Sequence, residues 1–167
     1  MQNIRDVQYV FLVGAKSLGA YGGYETFINK LTEYHQNSDK IKYYVACKAN
    51  GSGCMDETKV EGVTRISENE FEYHNAYCFK IEVPKIGSAQ AIYYDIAALK
   101  KCCDIIEKNE IEHPIVYIMA CRIGPFIRHF YKKIHKLGGE VYLNPDGECE
   151  IIWTTREKPD FMRVYAA

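Results

Sequence analysis

The chain reads as an α/β domain, a Rossmann-like parallel sheet with helices on both faces, and three observations predict it. Val7–Gly23 is an apolar strand-like run that passes straight into a glycine-rich loop, and a helix-patterned segment, Tyr24–Gln36, follows. Ala89–Lys108 spaces Ile92, Ile96, Leu99, Cys103 and Ile106 alternately four and three residues apart, one continuous apolar face of a helix. Ile115–Met119 is short and almost wholly apolar, as in strands buried on both faces of a parallel sheet.

The remaining elements fall between these. Ile41–Ala46 predicts a second strand, ended by the glycine and serine of Asn50–Gly53. Val60–Ile66 and Tyr77–Val83 are β-rich, the latter stopped by Pro84, and the polar SENEFEYHN stretch between them predicts an exposed connection. His113-Pro114 breaks the long helix before the buried strand. Gly124-Pro125 starts a helix over Phe126–Leu137, and Gly138-Gly139 stops it. Glu140–Leu143 is the last strand, running into Asn144-Pro145-Asp146-Gly147. Strands alternating with helices give a parallel sheet whose ligands sit beyond the carboxyl ends of the strands, where the strand order reverses. The glycine loop, Cys121–Pro125 and Asn144–Gly147 all follow strands and are expected to converge there.

Length and charge narrow the function. The 167 residues suit one domain with a substantial core, residues 1–147, followed by a divergent tail, 148–167, that shows no sustained period. A formal net charge of −1 supplies no global field to collect nucleic acid, so charged partners must meet a local patch. Seven cysteines without a C-x-x-C pair argue against a disulfide framework or a zinc site. With neither a signal-like start nor an apolar run of bilayer-spanning length, the expectation is a cytoplasmic protein.

The glycine loop is informative by exclusion. Gly14 and Gly19 have P-loop spacing, but Ala20 and Tyr21 stand where Lys and Ser or Thr are required. The dinucleotide fingerprint is also missing, and the second strand runs into Cys47 and Lys48 where a ribose-binding acid belongs. Gly19, Gly22 and Gly23 nevertheless allow close approach to the backbone, and the following helix points its N–H groups and positive dipole end at the same place. A phosphate or diphosphate is the fitting guest; the plainer alternative is a tight turn between strand and helix.

Taken in order, LVGAKSLGAYGGYETF, VPKIGSAQAIYYDI, CRIGPFI and KLGGEVYLNPDG resemble the N-terminal domain of bacterial rhamnosyltransferases and related glycosyltransferases of capsule and surface-polysaccharide assembly, from Val7 to about Gly147. The resemblance implies the N-terminal, acceptor-side half of a GT-B enzyme, in which two Rossmann-like halves face each other across the reaction cleft. It implies a nucleotide-sugar donor such as dTDP-L-rhamnose, a lipid-linked saccharide acceptor, and neither a cofactor nor a metal; no Asp-x-Asp occurs in the chain. Carried over by motif position, Gly19, Gly22, Gly23 and Tyr24 border the donor phosphates. Ser88, Gln90 and Tyr93 become candidates for acceptor contact, and Arg122 and Asp146 for hydrogen bonds to sugar hydroxyls or the leaving group. No catalytic base can be named.

Each candidate has a structural alternative. Asn-Pro-Asp-Gly is good turn chemistry by itself, and Arg122 could pair with a nearby carboxylate. His129 and His135 belong on a solvated surface beside Arg128, Lys132, Lys133 and Lys136. That basic face either is simply solvated or meets anionic lipid headgroups at the inner side of a membrane. Family members continue past the NPDG turn into a second domain, whereas here Glu148–Ala167 follows, so the expectation is a truncated glycosyltransferase with little activity alone. The rival is a non-enzymatic binding subunit of a split glycosyltransferase, working with a separate donor-domain chain or a second copy.

Overall fold

The computed structural model describes residues 7–19, 22–120 and 122–144. Its strands are β1 (Gln8–Val13), β2 (Ile41–Lys48), β3 (Thr64–Arg65), β4 (Glu70–Tyr73), β5 (Ala76–Ile81), β6 (Ile115–Ile118) and β7 (Glu140–Leu143). Three helices accompany them: α1 (Gly23–Tyr34), α2 (Gln90–Lys108) and α3 (Ile127–Lys136). All seven strands form one sheet in the order β3-β4-β5-β2-β1-β6-β7.

The five strands β5-β2-β1-β6-β7 are mutually parallel, whereas β3 and β4 are antiparallel additions at one edge. The α/β class therefore holds, with a correction to the SENEFEYHN stretch. It contains β4, whose Phe71 has no exposed surface, and Val60–Ile66 contributes only the two-residue β3. A hairpin turn accounts for the extra strand. His74 takes a left-handed φ of 50°, and the Asn75 amide donates to the carbonyls of His35, Ser38 and Ile41, tying the turn to the start of β2.

Two cores flank the sheet. On one face α2 and α3 pack Tyr94, Ala98, Leu99, Cys102, Ile106, Ile127, Phe130 and Ile134 against Phe11, Val13, Val116 and Ile118. On the other, Ile28 of α1 packs with Leu12, Val45, Phe71 and Cys78. The alternation along β1 explains the division, since Phe11 and Val13 face one layer and Leu12 the other.

The buried face of α2 keeps the predicted Leu99, Cys103 and Ile106 and is wider than predicted. Pairs at helical spacing go inward, Tyr94/Asp95, Ala98/Leu99, Cys102/Cys103 and Ile105/Ile106, while Ile92 stands 41 % exposed. The sequence expectation followed the branched aliphatics and so missed a buried tyrosine and a buried aspartate. At the end of α3, Gly138 adopts φ 80° and the Gly139 N–H reaches Ile134 O, the glycine stop that the sequence predicted.

Candidate functional site

In the parallel part of the sheet the chain winds from β1 out through β2 to β5, then crosses by α2 to β6 on the other side of β1. The strand order reverses between β1 and β6, and the crevice beyond their carboxyl ends is where α/β sheets hold ligands. Two segments meet there, the glycine loop after Val13 and the Met119–Ile123 connection after β6.

They meet closely. Gly14 has φ 116°, and a Cβ there would lie 2.9 Å from Ala120 N, so only glycine lets the two backbones pass. Three side chains fix this junction from below. Tyr94, fully buried on α2, directs its hydroxyl at Ala15 O (2.6 Å), just beyond β1, and at Ala46 O (2.9 Å), near the carboxyl end of the neighbouring strand β2. Arg122 donates from Nη2 to Gly14 O at 2.8 Å. Its Nε lies 3.4 Å from Asp95 Oδ2, an ion contact without hydrogen-bond alignment. Asp95 has no exposed surface, and among the described residues neither of its carboxylate oxygens accepts a hydrogen bond. Burial pushes its pKa up to about 7, against the opposing pull of Arg122. Burial likewise raises the Tyr94 phenol, which stays protonated as a donor.

The loop itself is closed by Glu25, in the first turn of α1. Its Oε1 accepts the Lys16 N–H at 3.0 Å, and the other carboxylate oxygen packs against Gly22, where a Cβ would collide with it. Ser17 Oγ and Asn29 Oδ1 are buried without a hydrogen-bond partner among the described residues, and Asn29 Oδ1 faces Gly19. Among the described residues, the loop and the first turns of α1 thus carry one polar side-chain atom each without a hydrogen-bond partner.

Of the residues predicted to border a phosphate, Gly19 takes a left-handed φ of 74°, Gly22 is extended and precedes α1, and Gly23 and Tyr24 form the start of the helix. Ser88 and Tyr93 are exposed and Gln90 is half-buried at the start of α2, at the carboxyl end of the sheet. Arg122 lies at the junction, but its guanidinium is already engaged by Gly14 and Asp95, the arrangement its structural alternative describes. Asp146 and the 148–167 tail lie outside the described residues. Sequence reading missed Tyr94, Asp95 and Glu25. The signal for Asp95 was available, as an acid inside an apolar helical repeat needs a partner. Among the described residues no group of three His, Cys, Asp or Glu is placed to hold a metal ion, and no helix is long and apolar enough to cross a membrane.

Sheet order, reversal point and braced glycine loop together define an α/β domain of the kind that holds a ligand at its carboxyl edge. The chain belongs to the DUF1972 family, described as a domain of unknown function, which matches residues 7–165. No curated protein matches it.

Proposed function

We propose that this domain is the acceptor-side half of a GT-B glycosyltransferase of rhamnosyltransferase type. It would work with a donor-holding domain to move a sugar from a nucleotide such as dTDP-L-rhamnose to a lipid-linked saccharide. The observation that carries the reading is the glycine loop at the reversal point, braced by Tyr94 and Arg122 and opening on the N-terminus of α1. The association of the family with glycosyltransferase N-terminal domains supports it.

The chemistry fits the parts. Glycosyl transfer leaves charge on the departing diphosphate, and fixed backbone donors at a helix N-terminus stabilise such charge without reorganising. Tyr94 and Arg122 hold the carbonyls of Ala15 and Gly14 from behind, so the loop keeps its shape when a ligand arrives. Ser88, Gln90 and Tyr93, at or just before the start of α2, are the acceptor contacts in this reading, and Asp146 keeps the role that its motif position implies.

Calorimetric titration with dTDP-L-rhamnose, dTDP and UDP tests this, with the chain alone and with a family C-terminal domain supplied in trans. Transfer to a lipid-linked acceptor only when both halves are present supports half of an enzyme. Nucleotide binding without transfer under either condition overturns the half-enzyme reading and leaves a domain that only binds. Silence throughout refutes both.

A further inference from the structure

Helix α3 carries Arg128, Lys132, Lys133 and Lys136 in ten residues and not one acid. Ile127, Phe130 and Ile134 turn inward, which fixes the opposite side as the outermost one. At 3.6 residues per turn that outermost side is the stripe Arg128, Lys132 and Lys136, each four residues from the next and each exposed. Lys133 lies to one flank, where Asp104 of α2 meets it at 3.9 Å, and the exposed Glu107 stands one turn further along α2. Glu140, at the start of β7, is occupied by the Tyr142 hydroxyl. No ion pair to Arg128, Lys132 or Lys136 occurs among the described residues. In a chain of net charge −1 this is a strong local concentration of positive charge.

A second feature adjoins it. Phe126, in the 3-10 turn that leads into α3, is 54 % exposed. Helices α2 and α3 pack on the same face of the sheet, and both begin at its carboxyl edge. Ile92 and Tyr93, at the start of α2, are also more than two-fifths exposed. The cationic stripe therefore runs up to an edge of the molecule that bears exposed apolar side chains. Nucleic acid would account for the stripe alone, whereas a bilayer with anionic headgroups accounts for the stripe and the apolar edge together.

We propose that the outer face of α3, with Phe126 at its leading end, docks this domain on an anionic lipid bilayer. The inference rests on charge and exposure and holds whether or not the domain serves a glycosyltransferase. In the glycosyltransferase reading the same pose brings the ligand crevice to the headgroup level, where a lipid-linked acceptor presents its saccharide.

Co-sedimentation of the full 167-residue chain with vesicles of phosphatidylcholine, or of equal parts phosphatidylcholine and phosphatidylglycerol, is the test. Binding is expected only to the anionic vesicles and should weaken as salt is raised. Each stripe cation contributes about fivefold to partitioning, so Lys132→Glu lowers it at least that much and Arg128→Glu/Lys132→Glu/Lys136→Glu about a hundredfold or more. Phe126→Ser weakens binding at unchanged charge. A control with the same total charge change on other elements, Lys40→Glu/Lys42→Glu/Lys108→Glu, should bind like the unaltered chain. Matched circular-dichroism melts separate lost docking from lost folding, and the single Lys132→Glu variant keeps the test valid should the triple variant not fold. Equal losses in stripe and control variants overturn the proposal. So does failure of the unaltered chain to bind anionic vesicles, including the case in which an RNA oligonucleotide binds through the same residues.

Discussion

Arg122 Nε and Asp95 Oδ2 lie 3.4 Å apart beneath the glycine loop, joining a partly exposed guanidinium to a carboxyl with no exposed surface. Because the contact is poorly aligned and no other donor reaches Asp95 among the described residues, burial dominates and its pKa rises from 3.8 to about 7. The folded state then binds the proton more tightly than the unfolded chain. Stability from this group is complete below about pH 4, declines as pH rises, and is lost above about pH 7. Three units correspond to something on the order of 4 kcal/mol. Asp95→Asn should therefore exceed the unaltered protein in denaturant melts by a margin that grows from pH 5 to pH 7 and levels off above that. Parallel pH profiles for the two proteins would show that Arg122 compensates the buried charge fully.

Tyr94 acts by geometry rather than titration. One hydroxyl proton serves two carbonyls, one in the loop just after β1 and one in the neighbouring strand, two residues before the end of β2. Tyr94→Phe keeps the ring in the core and removes the tie, at a cost of about 1–3 kcal/mol in chemical denaturation. Amide exchange should quicken in the residues after Val13 more than in α3, which the hydroxyl does not touch. A uniform increase over the whole domain would mean that Tyr94 serves global stability and does not brace the loop.

The glycines of the loop should separate into two kinds. Gly14→Ala must place a Cβ 2.9 Å from a backbone nitrogen at φ 116°, and neither the neighbour nor the backbone can give cheaply. A loss of more than 2 kcal/mol is expected. Gly23 has nothing within 4 Å of its added Cβ and sits in the first turn of α1, so Gly23→Ala should melt at the same temperature or slightly higher. If Gly23 borders a phosphate, the same substitution weakens dTDP binding while the melt stays unchanged. A stable Gly14→Ala variant would contradict the close crossing of the two loops.

Patterns that depend on neighbours in sequence were legible, and those that depend on neighbours in space were not. The β1–loop–α1 unit, the apolar strand β6 and the glycine stop of α3 each follow from local spacing, and the structure has them. Strand β4 was missed because EFEY places one buried residue, Phe71, among polar ones, and its strand identity comes from pairing with β5. The burial of Asp95 was missed because helical periodicity allows adjacent faces, and the choice among them is made by the sheet beneath α2. At the candidate site, the position of the glycine loop could be read from the chain. The ties that shape it, Tyr94 to Ala15 and Arg122 to Gly14, span 79 and 108 residues and leave no local trace.

Glu25 joins the two ends of the loop, and its charge sits where an anionic ligand would come. Its carboxylate accepts the Lys16 N–H and lies against Gly22, at the positive end of α1. A phosphate entering there gains from the helix dipole and is opposed by the carboxylate. Glu25→Gln retains an oxygen for Lys16 N–H and removes the charge, so dTDP should bind about fivefold more tightly, equivalent to roughly 1 kcal/mol. Glu25→Ala removes the charge and the tie together, so the Lys16 amide should exchange faster and the gain in affinity should be smaller than for glutamine. Tighter binding by Glu25→Gln would locate the phosphate beside Glu25. Unchanged affinity alongside faster exchange in Glu25→Ala would leave Glu25 as a loop tie only and put the anion elsewhere along the carboxyl edge.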